Sequence, residues 1–388
     1  MRSVYATAIA IAASGIVSFA APPAMAQEVI RIGVMYPLTG PLASQGRPTR
    51  DAIKLACDEA KNMVAGRKIE LLFEDSAGRP DTALTKVKAM VERDKVHLLL
   101  SELVSSVGAA LAPYVIEQKI PWVSNVALAS LTRQQKSPYI FRFVPSSYQY
   151  TMAAAQAAKA LGWKRAYLIG WNAPPGHEAN EALRKTFGDI VEAMYPNVGT
   201  SDYAPYVTKM DPSKADGVFA AMWGADSPRI VKQYVEYGLN KRMPLMGIAS
   251  FTSEEVLVSM PPESVGVHSA YLYCGTFDTP ENKKFVADYQ AAYKAVPGSY
   301  QYLGYMAARM TLQALADING KAEDRDAFVR ALEKVKIKGP MGEASFDANH
   351  GIVHDFYALK VARGPDGKLY NECGTRLPQL RDPYDLFP

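Results

Sequence analysis

The sequence is poor in the residues from which most covalent chemistry is built. Cys57, Cys274 and Cys373 are the only cysteines in 388 residues. Three are too few for a disulfide framework, and no C-x-x-C pair offers zinc binding or thiol exchange. Histidine is scarce, at five. His350 and His354 stand four apart, but the intervening Gly351 and a strand-like context argue against a helical metal pair. His97 and His268 fall in strand-like runs as packing or edge residues, and His177-Glu178 opens a helix whose dipole the acid complements. Cys57 reads as a small hydrophobe on the inner face of a helix. The chain lacks a G-x-x-x-x-G-K-[ST] phosphate loop, since Gly364-Pro-Asp-Gly367 reads as a hairpin turn. It also lacks a G-x-G-x-x-G after its first strand and a G-x-S-x-G elbow. Neither a cofactor nor a metal is expected, and no catalytic residues are assigned.

Charge of one sign is lacking too. Lys plus Arg number 43 against 39 Asp plus Glu, a net of +4. The excess is scattered, which excludes nucleic-acid binding through a basic face. With 48% hydrophobic and 21% charged residues the composition is that of a folded globular chain, not a disordered or fibrous one. After the first 26 residues no stretch approaches the ~18 uninterrupted apolar residues of a membrane span.

What is present begins with a leader. Met1-Arg2 precedes an apolar run from Val4 to Ala21, then Pro22-Pro23 and Ala24-Met25-Ala26 before Gln27. A positive start, an apolar middle and an A-x-A end describe a cleavable secretory signal over residues 1–26. The mature chain is therefore expected in the periplasm. Beyond it, short apolar runs alternate with helical periodicity. Residues 29–35, 69–73, 96–100 and 121–123 read as buried strands; a Gly/Pro/Ser loop over 37–48 leads into a helix with Ile53, Ala56, Cys57, Ala60 and Met63 on one face, and helices separate the others. A second set follows, with strands at 166–170, 217–222, 245–248 and 267–273. It carries a long helix over 177–194 and short ones at 228–237 and 253–259. Three late helices and a hairpin over 355–370 close the chain. Strict alternation implies an α/β fold of doubly wound parallel sheets.

Particular segments then carry a resemblance. Ile32-Gly-Val-Met-Tyr-Pro-Leu-Thr-Gly-Pro-Leu-Ala-Ser-Gln-Gly46 is the most specific. It is joined by Phe73-Glu-Asp-Ser76 with Asp81, Ser105-Ser106, Ile120-Pro-Trp-Val-Ser124 with Ala127 and Leu131-Thr132, and Tyr139-Ile-Phe-Arg142. Gly304-Tyr305-Met-Ala-Ala308 adds a late helix. Together they resemble the leucine/isoleucine/valine-binding family of type I periplasmic solute-binding proteins. The resemblance implies two doubly wound lobes joined by three hinge crossovers, near Val144, Phe277 and Asp355. Residues 27–144 plus 278–355 would form the first lobe, and 145–277 plus 356–388 the second. It also implies a monomeric substrate-binding subunit that delivers cargo to the membrane permease of an ABC transporter. Cys373 would return to the second lobe, where it can pair with Cys274 or remain a free thiol.

The candidate pocket follows residue by residue. Ser105 and Ser106 stand between a strand end and a helix start, where they read as plain helix caps or as an anion site. The resemblance favours contact with a ligand carboxylate, as it does for the backbone at Ala127, and it puts Gln45 in the pocket wall. Relatives that bind amino acids hold the ammonium with second-lobe acids, but the matching positions here are Ser147 and Ala249. Trp171 and Trp223 follow second-lobe strands where cleft loops begin, and Tyr148, Phe251, Tyr150, Tyr300 and Tyr302 are further aromatics near the junctions. The expected cargo is a small carboxylate with an aromatic or bulky apolar body. A branched-chain or other amino acid is the alternative, and an exported α/β hydrolase is the alternative of another class.

Overall fold

The computed structural model describes residues 29–387, so the leader expected over 1–26 lies outside the described residues. Strand Ile30–Tyr36 lies between parallel neighbours Arg67–Asp75 and Leu98–Ser101, and Trp122–Ser124 and Ile140–Arg142 extend the sheet beyond the latter. The two-residue strand Met63–Val64 pairs antiparallel at the far edge, making six strands in all. Every residue of Leu98–Ser101 is buried. That is why the segment reads as a continuous apolar run: helices cover both faces of a parallel sheet. Helices Pro80–Glu92 and Ser105–Glu117 pack Val87, Met90 and Leu111 on one face. Helices Ala43–Glu59 and Ser299–Asp317 lie on the other, against Ile32 and Val34.

The second sheet has nine strands and is mixed rather than wholly parallel. Asp189–Met194, Arg165–Gly170, Gly217–Ala221, Leu245–Gly247 and His268–Tyr271 run parallel. Ile352–Arg363, Gly342–Phe346, Lys336–Gly339 and Leu369–Leu380 add an antiparallel extension. Helix Ser147–Ala160 lies against this sheet through Ala153, Ala154, Ala157 and Ala158, all fully or nearly buried. Methyl groups there let helix and sheet approach closely.

Several boundaries differ from the sequence expectation. The first helix begins at Ala43, inside the expected loop, and carries Pro48 within it. Gly46 permits this, because a Cβ there would lie 2.1 Å from the Pro37 carbonyl oxygen. The expected helix over 177–194 is helix Pro174–Thr186 followed by strand Asp189–Met194. Gly188 stops the helix: it has φ +125°, and its N–H donates to the Leu183 carbonyl. The expected helix at 253–259 is only the short turn Glu254–Leu257. The chain passes between the two sheets three times, first over 143–146 and then over 272–279. The third comes at Val335, not Asp355, because Lys336–Gly339 and Gly342–Phe346 already pair in the second sheet.

The C-terminal segment ties these parts together. Cys274 and Cys373 form a disulfide, with Cα atoms 6.0 Å apart, and the remaining Cys57 is buried. Unreduced protein unfolded in denaturant should therefore titrate one thiol, and three thiols would show the bond absent. Beyond the last strand, Asp382 is fully enclosed between Arg142 and Arg133. Phe387 stacks on Tyr148 at 4.2 Å, beneath the Lys185 ammonium.

Candidate functional site

The carboxyl ends of the parallel strands of both sheets open onto one cavity of ≈ 360 Å³. This is where ligands bind in open α/β sheets. The first sheet contributes Gln45, Ser105, Asn125 and Ala127, and the second contributes Trp171, Ala221, Trp223 and Ala249. Ser147, Tyr150 and Thr151, from the N-terminal end of the Ser147–Ala160 helix, and Tyr300 and Leu303, from the Ser299–Asp317 helix, complete its sides. Among the described residues that line it there is no Asp, Glu, Lys, Arg or His.

Seven of the ten candidate residues meet at this cavity: Gln45, Ser105, Ala127, Ser147, Trp171, Trp223 and Ala249. Three do not. Ser106 is exposed one residue further along its helix and does not line the cavity. Tyr148 faces the other way, stacked on Phe387 with its hydroxyl 3.3 Å from Glu181. Phe251 is fully buried in the second-lobe core, pressed over Gly247, where a Cβ would meet the ring at 2.4 Å. The later aromatic Tyr302 is likewise core, hydrogen-bonded to His354.

Ser105 is the first residue of helix Ser105–Glu117, which no side chain caps. The preceding turn is shaped by Glu102, whose Oε1 accepts from the N–H groups of Leu103 and Val104 at 2.9 and 3.1 Å. Glu102 adopts φ +82° and is fully buried, and burial pushes its carboxyl above the ordinary range. Ala249, after strand Leu245–Gly247, is held at φ +54°. Non-glycine residues in this region each cost roughly 1–3 kcal/mol and concentrate at binding sites. The first helical N–H groups beside Ser105 form a partial positive pole suited to an anion. Asn125 is fixed between the Tyr36 hydroxyl at 2.6 Å and the Phe143 carbonyl at 2.9 Å.

The opposite wall is aromatic. The Trp171 and Trp223 rings lie 4.7 Å apart at 57°. Gly176 lets the following helix close under Trp171, whose carbonyl oxygen would stand 2.0 Å from a Cβ there. Tyr150 and Tyr271 stack in parallel at 5.3 Å, with their hydroxyls 3.3 Å apart. Burial raises the pKa of Tyr150, Tyr271 and Tyr300, so these phenols stay neutral and keep their protons for donation. Glu255 does not line the cavity, and burial raises its carboxyl as well. Asn125, Thr151, Ser250 and Tyr271 escaped the sequence reading. Asn125 and Tyr271 sit at strand ends, the one signal that pointed to them.

Comparison with known proteins agrees with this geometry. The family described as periplasmic binding protein matches residues 29–368. The Leu/Ile/Val-binding protein homolog 6 of Brucella melitensis biotype 1 is 28% identical over 378 residues, spanning 94% of this chain and 95% of its own. An ABC transporter substrate-binding protein from Sphaerobacter thermophilus superimposes with a TM-score of 0.88 at 33% identity, covering 92% of this chain and 99% of the other. A solute-binding protein of an ABC transporter from Rhodopseudomonas palustris HaA2, solved in complex with p-hydroxybenzoic acid, gives 0.83 at 29%, with the same coverage. Two α/β lobes around an uncharged cleft and these likenesses place the chain in the periplasmic binding protein family, whose members are solute-binding components of ABC transporters and not enzymes.

Proposed function

We propose that this chain captures a small aromatic carboxylate, of the hydroxybenzoate or phenylpropanoid type, for import through an ABC permease. The absence of any charged side chain among the described residues of the cavity wall carries the reading. A free amino acid brings an ammonium that would be buried without a negative partner, at a cost of several kcal/mol. A carboxylate can instead use the helix start at Ser105 and the backbone near Ala127. The two tryptophans offer a flat ring their faces, and the Tyr150–Tyr271 pair can exchange hydrogen bonds with a ring hydroxyl. At ≈ 360 Å³ the cavity is at the small end of ligand sites, in keeping with a single-ring acid. The Rhodopseudomonas relative holding p-hydroxybenzoic acid supports the same class. The chain would act as a monomer, exported by its leader, with the lobes closing about the three passages between sheets.

Calorimetry with 4-hydroxybenzoate, benzoate and leucine tests the reading. An aromatic acid should bind at least about tenfold tighter than leucine, a gap of ~1.4 kcal/mol or more. Leucine binding in the micromolar range while the acids fail would establish the amino-acid alternative, which the Brucella relative's description favours. Glu255, next to the cavity tyrosines, would then be the acid to examine.

A further inference from the structure

The aromatic wall depends on a residue that does not touch the cavity. Asp226 opens helix Asp226–Glu236, is 3% exposed and lies outside the lining. Its Oδ2 accepts from the Trp171 indole Nε1 at 2.7 Å and from the Gly199 N–H at 2.9 Å. Its Oδ1 accepts from Arg229 Nη1 at 2.9 Å. An acid at a helix start needs no further reason than the helix dipole. That explanation does not account for one carboxylate gathering donors from the loop after strand Arg165–Gly170, the loop after strand Asp189–Met194 and its own helix. Arg229 also neutralises the charge that burial would otherwise penalise.

We propose that Asp226 is a positioning residue: by holding the Trp171 indole it fixes the angle between Trp171 and Trp223, and so sets affinity for flat ligands. The second half of this proposal rests on the aromatic-acid reading above; the first half does not. An indole has two rotatable bonds, and Trp171 is only half-buried. Without its acceptor the ring would sample other rotamers, and part of the stacking surface would be lost on average.

The test uses Asp226→Asn, Asp226→Leu, Trp171→Phe and the double variant Asp226→Leu/Trp171→Phe in the full mature chain. Indole N–H resonances report the hydrogen bond, with the Trp171 signal assigned by its loss in Trp171→Phe. Exchange of that proton with solvent should accelerate at least about tenfold in Asp226→Leu, and less in Asp226→Asn, which retains an acceptor. Affinity for 4-hydroxybenzoate should fall about tenfold in Asp226→Leu. On the Trp171→Phe background Asp226→Leu should add almost nothing, because the group it positions is gone. An unchanged Trp171 indole signal in Asp226→Leu, or equal losses on both backgrounds, would overturn the proposal. If the parent chain binds no aromatic acid, the ligand class falls, and indole exchange alone decides whether Asp226 positions Trp171.

Discussion

Asp382→Asn should destabilise the chain by about 3–5 kcal/mol, the usual cost of removing one partner from a buried ion pair. Asp382 and Arg142 are fully buried, and Arg133 nearly so. Arg133 donates through two nitrogens, at 2.7 and 3.0 Å, and Arg142 closes the other side. Asparagine keeps the shape but leaves two guanidinium groups facing a neutral amide. Besides Asp382, Arg142 has the Val144 carbonyl, at 2.6 Å, and Thr132 as hydrogen-bond partners, and neither carries the charge that offsets its burial. By contrast, Asp278→Asn breaks the Lys283–Asp278 pair, whose side chains are 70% and 82% exposed, and should change stability by less than about 1 kcal/mol. Denaturant titration of both variants checks the difference; equal midpoints would refute it.

The pH dependence has a definite sign. Burial alone would raise the Asp382 carboxyl, but Arg142 and Arg133 outweigh it and hold the pKa below the ordinary range. A carboxyl depressed in the folded state contributes stability above its unfolded pKa, near 3.9. That contribution is lost as pH falls through the folded value. The parent chain should therefore lose stability in this acid range more steeply than Asp382→Asn.

Ala249→Asp should abolish most aromatic-acid binding, weakening 4-hydroxybenzoate at least about 100-fold, or ~3 kcal/mol. Aspartate tolerates the left-handed backbone that Ala249 adopts at φ +54° better than most residues, so the loop should keep its course. The new carboxylate would enter a wall without a cation to pair with it. It would oppose an anionic ligand, and closing the cleft would bury it unpaired. The same charge would supply the acid missing from this position for an ammonium, so the gap to leucine should narrow. Calorimetry decides; a change of less than about threefold for 4-hydroxybenzoate would mean that position 249 does not face the bound ligand.

Much of this site was legible because it lies where local patterns end. Trp171 directly follows strand Arg165–Gly170, and Trp223 follows strand Gly217–Ala221 after the single residue Met222. Ser105 directly precedes a helical period. In a parallel sheet those positions face the ligand edge whatever the details of packing. The uncharged side chains at Ser147 and Ala249 were equally plain, since absence of charge needs no coordinates.

Phase and partnership were not legible. Tyr148 and Tyr150 lie two apart on one helix, about 200° around its axis, and only one can face the cleft. Which one does is settled by Phe387, more than two hundred residues later, stacking on Tyr148. Phe251 became core because Gly247 leaves room for its ring. Lys336–Gly339 and Gly342–Phe346 joined the second sheet by pairing that local propensity does not specify. The sequence by itself determined the α/β alternation, the strand–loop junctions that carry Ser105, Trp171 and Trp223, and the lack of an acid at Ser147 and Ala249, because each is written in the hydrogen-bonding period or side-chain chemistry of contiguous residues. Only the tertiary structure decided the Trp171–Asp226 bond, the enclosure of Asp382 and the Cys274–Cys373 pair. Each joins groups more than fifty residues apart, and such partners are selected by the packing of the whole chain.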